Sequence, residues 1–371
     1  MRWPRHVESL LGELGRGASW RLTASLFGAF LVVGCDVYHP EAFDRYDAGP
    51  DAAVDGGAET DAGHVCELRH PPNRAAGMDG DGDEIIYALR DVTIGQADPL
   101  WNELGFDLDQ TCSDSMQSVT CTPRGSATPQ LDGTNGVDNS GGRELLTTLT
   151  LGSPTLEMRA RETQDAGTNV IVLRVSGWDG TDDDPRVTAS IAQGVYAVPM
   201  GGTRGDALGW DGTDTFVVSE QDYLDGDPDR PLIVDDAAYV AGRRLVLHLP
   251  EGRPIYLPWE GNPLILRLTD AFVIADLSED MGTVTEARLV GRWALLDLSS
   301  TLTQVGVCPG TSTRLAIDIL VARVADIRSD PGTDGLELDC DAISFAVGFR
   351  GTRGVFGGTT PAPPLLDPCG T

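Results

Sequence analysis

The chemistry within reach of this chain lies in its carboxylates. Of 371 residues 57 are Asp or Glu, and several Asp recur at alternate positions in Gly-rich stretches. Asp79, Asp81 and Asp83 form one run, Asp225, Asp227 and Asp229 a second, and Asp182, Asp183 and Asp184 a continuous third. A hard cation such as Ca2+ takes about six to eight oxygen ligands, and alternate acids in a turning backbone can aim several oxygens at one point. These runs are not EF-hands, because Glu84 stands where that loop needs Gly and Arg90 where it needs a bidentate Glu. A further candidate joins Asp107 and Asp109 to Asp132, Asp138 and Asn139, which meet if the loop between Cys112 and Cys121 folds back. A Ca2+ site is the cofactor expectation; solvated acidic loops are the alternative in so acidic a chain.

The hexapeptide Gly-Trp-Asp-Gly-Thr-Asp occurs twice, at 177–182 and 209–214. Each copy reads first as a turn, since Asp-Gly accommodates positive φ where strands reverse. A second reading takes Trp178 with Asp179 and Trp210 with Asp211 as a ligand-binding face for glycan, with rings stacking on sugar C–H faces and acids accepting hydroxyl protons.

Catalysis finds less support. Four of the five histidines precede residue 71, and His248 sits in the apolar stretch 245–249, where an edge or partly buried strand position explains it. One histidine cannot build a His-based zinc site, and there is no G-x-S-x-G elbow, Walker loop or GxGxxG. The enzymatic alternative is a glycoside hydrolase using two carboxylates roughly 5 to 9.5 Å apart. The sequence points to no particular pair, so no catalytic residue is assigned.

Short strands must position these groups. Period-2 alternation marks 155–161, and 170–175, 186–192, 215–219, 244–249, 264–268, 272–277 and 283–293 are further strand candidates. Along 342–349 the large residues Ile343, Phe345, Val347 and Phe349 face one way and small ones the other, as in a strand between a core and a close second layer. Helices are few: a short one from Asp98 and Pro99 to Leu104, then 295–305 and 315–327, either of which also fits a strand. The expected fold is mainly β, an antiparallel β-sandwich of jelly-roll or concanavalin-like kind with one to three short helices. The body spans 66–357, as one domain or as two with a break near 250–263, and a Pro-rich tail held by a cysteine follows at 358–371.

The N-terminal region supplies an address. An apolar run of about 13 residues, 22–34, has the length of a secretory h-region and is too short to span a bilayer. It follows Arg16 and Arg21, and the stretch before them is long enough that translation can start downstream of Met1. The run closes with Leu31, Val32, Val33, Gly34 and Cys35, which resembles the lipobox of bacterial lipoproteins. That resemblance implies a signal peptide over 1–34 and a lipid on Cys35, and hence a membrane-anchored protein of the bacterial cell envelope. Asp36 resembles an inner-membrane retention signal, and the choice of membrane stays open. Residues 35–65, rich in Asp, Ala, Gly and Pro, read as a disordered acidic tether.

With Cys35 assigned to lipid, Cys66, Cys112, Cys121, Cys308, Cys340 and Cys369 remain, an even number that in an exported chain reads as three disulfides. The preferred pairing is Cys112 with Cys121, Cys308 with Cys340 and Cys66 with Cys369, although 15 pairings exist in principle. No CxxC spacing suggests zinc. Net charge is −30 and all 27 basic residues are Arg, a surface that repels nucleic acid.

The segments 132–142, 172–187 and 340–349 resemble parts of Asp-rich lipoproteins of myxobacteria and related G+C-rich bacteria, over most of 77–357. That likeness implies a surface address and no activity. The functional expectation is a non-catalytic, lipid-anchored protein binding an extracellular or envelope ligand such as a glycan. A hydrolase, or a structural protein whose partner is an envelope protein, is the alternative.

Overall fold

The computed structural model describes residues 67–371 except 96–98, 114–118, 126, 149–154, 199–207, 258–263, 363–366 and 371. The signal segment, Cys35, the acidic tether and Cys66 lie outside the described residues. Apolar stretches, several of them buried on both faces, build β1 (Gly82–Thr93), β2 (Val170–Gly177), β3 (Asp184–Tyr196), β4 (Thr215–Ser219), β5 (Val234–Ala241) and β6 (Arg244–His248). They continue through β7 (Pro254–Leu257), β8 (Leu264–Arg267), β9 (Thr269–Leu277), β10 (Thr283–Ala294) and β11 (Ala342–Thr360). Three α-helices are described: α1 (Leu156–Asp165), α2 (Leu295–Gln304) and α3 (Ser312–Val324).

The fold is mainly β and antiparallel, but the expected sandwich is corrected to a barrel. β1 pairs with both β2 and β11, and β3 with both β2 and β5. The sequence of pairings β1-β2-β3-β5-β6-β9-β10-β11 therefore returns to β1 and closes eight antiparallel strands on themselves. β4 lies between the ends of β3 and β11, and β7 with β8 forms a separate hairpin. Strands from both sides of 250–263 belong to the one barrel.

Closure depends on β11, whose 19 residues pair in turn with β10, β1 and β4. A Cβ at Gly351 would stand 2.8 Å from Leu89 Cδ2, and one at Gly354 2.8 Å from Phe216 Cδ2. Only glycine lets the neighbouring layers approach so closely while the strand curls. Two edges that a sandwich would leave open are thereby joined to each other.

Inward side chains such as Leu89, Leu173, Leu245, Leu289, Phe345 and Phe349 form the central core, which Leu298 and Leu302 of α2 and Val321 and Val324 of α3 join. Two smaller clusters lie on the outer faces. Leu104, Phe106 and Leu108 cover Val246, Phe272, Ile274, Val290 and Ala346, while Phe216, Val218 and Tyr223 cover Ile86, Ala88, Val170 and Val172. The flat side of β11 thus lies under a close second layer, with Gly105 facing Ala346 and Gly141 facing Ser344.

One strand expectation fails. Residues 155–161 fall in α1, which buries Leu156, Ala160 and Gln164 at four-residue spacing while Met158 is 52% exposed. The apparent alternation counted Met158 as inward; the burial follows the helical period. The helices expected at 295–305 and 315–327 form as α2 and α3, and the short one after Asp98 is a 3-10 turn at Pro99–Asn102.

Candidate metal centre

The segment that covers the outer barrel face also carries the acids. Leu104, Phe106 and Leu108 turn towards the barrel, which leaves Asp107 and Asp109 on the other side of this loop. That side is enclosed by two returning pieces of chain: the Asp107 amide donates to Arg69 O at 2.9 Å, and the Asp138 amide donates to Phe106 O at 3.0 Å. Asp107, Asp109 and Asp138 are only 5%, 9% and 3% exposed, and one oxygen from each lies within 4.8 Å of the others. Ca2+–oxygen distances are about 2.4 Å, so a single cation between them could touch all three.

The carboxylates are unequally satisfied. Asp109 accepts from the Thr111 amide at 3.0 Å and the Thr120 hydroxyl at 2.5 Å, and Asp138 accepts from the Leu108 amide at 2.7 Å. Asp132 accepts from the Ser113 amide at 2.6 Å and shares a hydrogen bond with Asp138. Asp107 is the least satisfied: both of its oxygens are buried with no partner at good hydrogen-bond geometry, and the Gln110 and Asp109 amides only oppose part of the rise in its pKa. His70 Nδ1 stands 3.4 Å from Asp107 Oδ2, itself half exposed.

The electrostatics follow from this crowding. Burial pushes Asp107 up to about 6 and Asp132 up to about 7, with the charge of Asp109 adding to both. Asp138 is lifted well above the usual carboxylate range by burial and by Asp109, Asp132 and Asp326. Asp109 rises as well, mainly through burial. The Arg292 guanidinium acts on Asp109, yet it is committed to Asp334 at 2.7 Å and Asp270 at 3.2 Å. An all-oxygen, water-poor, under-neutralised cluster is the environment that a hard divalent cation stabilises. The cluster could hold a metal ion.

No protein-family model, curated protein or solved structure matches this chain. The functional reading therefore rests on the geometry of the chain itself.

Of the residues grouped from sequence, Asp107, Asp109 and Asp138 come together as one metal-sized group, and Asp132 adjoins it through its hydrogen bond with Asp138. Asn139 does not serve as a ligand: its amide donates to Trp101 O and Leu104 O and its oxygen accepts from Gly142 N and Ala346 N. It ties the acid segment to β11 instead. Two members of the neighbourhood escaped sequence reasoning. Asp326 accepts from the Ser344 amide and hydroxyl beneath the cluster, and Thr120 orients Asp109. The available signal for Asp326 was a lone acid inside the apolar stretch 320–327.

The other acid runs are placed differently. Asp79, Asp81 and Asp83 are exposed where the chain enters β1, and among the described residues the metal-sized group is the one at Asp107. Asp182 pairs with Arg243 and Asp183 accepts from Gly242, so that run clamps the β5–β6 turn. Asp225 pairs with Arg230 at 3.5 Å in a surface turn.

The two Trp loops are turns. Asp179 Oδ1 accepts from the amide and hydroxyl of Thr181, and Asp211 Oδ1 accepts from those of Thr213, with Gly180 and Gly212 at φ 90° and 91°. Trp178 is 1% exposed and belongs to the barrel core, and Trp210 is covered by Phe216 at 5.6 Å and the Arg90 guanidinium at 4.5 Å. The expected sugar-stacking face at Trp178 and Trp210 is corrected accordingly: an apolar ring follows its burial gain into the core when the turn is made by the Asp and Thr beside it.

The disulfide pairing is corrected too. Cys121 bonds to Cys340 and Cys308 to Cys369, in place of Cys112–Cys121, Cys308–Cys340 and Cys66–Cys369. Cys112 is also disulfide-bonded. The short-loop preference fails because Thr122 pairs with Asp339 in a bridge that carries Cys121 to the start of β11. Cys121–Cys340 thereby fastens Thr120 beside Asp109.

Proposed function

We propose that this chain is a lipid-anchored protein of the bacterial envelope whose barrel binds an envelope or extracellular ligand without catalysis. In this reading a Ca2+ ion at Asp107, Asp109, Asp132 and Asp138 locks the covering segment onto the barrel. The observation that carries the cation role is Asp107, a buried carboxylate with no well-formed hydrogen bond to either oxygen, facing two further carboxylates. Leaving such a group unsatisfied costs about 1–3 kcal/mol or more for a charge, which a bound cation recovers. Ca2+ suits the site better than Mg2+, because Mg2+ keeps several waters in strict octahedral geometry and this site is closed to solvent. The anchor rests on the lipobox resemblance at Cys35 and the apolar run before it.

Thermal unfolding tests the cation role. The full chain in chelator should melt lower than with millimolar Ca2+, and Mg2+ should restore less. Equal melting temperatures with chelator and with Ca2+ would refute it. Mass spectrometry of the mature N-terminus should find Cys35 acylated and residues 1–34 removed; an unmodified thiol at Cys35 in cells would refute the anchor.

A further inference from the structure

A cleft of about 850 Å³ opens between the covering segment and the barrel strands β10 and β11. Three arginines line it: Arg69, Arg288 and Arg350. In a chain of net charge −30 such a gathering is a local exception. Arg69 and Arg288 both lie over the ring of Phe106, at 5.2 and 5.8 Å. Arg69 donates to Glu103 O at 2.5 Å and Arg288 to Glu286 Oε1 at 2.5 Å. Arg288 Nε is nevertheless buried without an acceptor. The Arg350 side chain is exposed on β11 and has no ion pair or hydrogen bond among the described residues. Burial lowers the Arg69 pKa, and the nearby charges of Arg288 and Arg244 add to the fall while Glu286 and Glu103 oppose it.

We infer that this cleft binds a compact hydroxylated carboxylate of the sugar-acid class. The guanidinium fork matches a carboxylate in plane, and Arg350 offers one that nothing else occupies. Glu67, Glu103 and Glu286 line the same cleft, equal in number to the arginines. They would repel a phosphate dianion more than a monoanionic carboxylate, and they accept protons from ligand hydroxyls. Thr93, Thr134 and Thr285 add hydroxyls that both donate and accept. The volume suits a ligand of one or two sugar rings. The inference takes up the binding role proposed above and is independent of its cation site, although His70 lines the cleft and touches Asp107.

Calorimetric titration of the full chain with D-glucuronate, D-glucose and inorganic phosphate tests it. Glucuronate should bind saturably, glucose and phosphate should not, and Arg350→Gln should weaken glucuronate at least tenfold while keeping the melting response to Ca2+. Absence of saturable glucuronate binding overturns the inference, as does unchanged binding by R350Q or equally tight phosphate. If glucuronate binds but chelator leaves the melting temperature unmoved, the cation reading alone fails.

Discussion

Asp107 is the residue on which the cation argument turns, because the sign of its contribution depends on what faces it. Without a cation, its charge is buried beside Asp109 and Asp138 with no well-formed hydrogen bond. With one, the same charge becomes a ligand. Asp107→Asn should therefore melt at or above the wild type in chelator and below it in saturating Ca2+, a crossing that thermal unfolding in both buffers will display. Simple loss of packing would lower both. Asp222, remote in function from this cluster, reports burial alone. It is buried and raised to about 7 by desolvation, against a single amide hydrogen bond from Gln193 at 2.6 Å. A folded-state value above the unfolded one near 4 means that its contribution to stability is complete at low pH and is lost as pH rises to about 7, at up to about 1.4 kcal/mol per unit. Asp222→Asn should flatten that part of the stability–pH curve and melt above the wild type at pH 8. A D222N curve parallel to that of the wild type between pH 4 and 7 would show that Asp222 does not titrate there.

At the scale of elements, the covering segment is held by its apolar residues, by Asn139 and by Cys121–Cys340. The disulfide joins residues 219 apart in sequence and secures Thr120, whose hydroxyl orients Asp109. Replacing both cysteines with alanine should cost roughly 2–5 kcal/mol. It should also weaken the Ca2+ response; an unchanged Ca2+ titration in the double variant would mean that Thr120 is held by other contacts. The acid group was legible in the sequence because Asp107 and Asp109 alternate with Phe106 and Leu108, and local alternation survives folding. Asn139 was not, since its partners on β11 lie some 200 residues away and no local pattern announces them. The disulfide partners were hidden for the same reason: short loops are favoured entropically, but the bridge at Thr122 and Asp339 decides. In α1, the buried Leu156 and Ala160 stand one helical turn apart, and Met158 between them gives the sequence the look of strand alternation.

For the molecule as a whole, strand identity was readable and closure was not. Most strands appeared as apolar runs, yet whether their edges meet depends on β11 pairing with β1, a relation between chain positions more than 250 residues apart. The glycines of β11 carry that closure. Gly354→Val would drive a side chain to within 2.8 Å of Phe216 and should destabilise by roughly 1–3 kcal/mol, read as a lower urea midpoint. An unchanged midpoint would show that the strand can shift to make room. Barrel, covering segment and acid cluster then form one dependency: the barrel supplies the face, the segment covers it, and a cation ties the segment down. The most direct test is the metal content of the full chain after exhaustive dialysis against metal-free buffer following Ca2+ loading. The account predicts one retained Ca2+ per chain in the wild type and none in Asp107→Asn; no retained Ca2+ in the wild type, or equal retention in both, would contradict it.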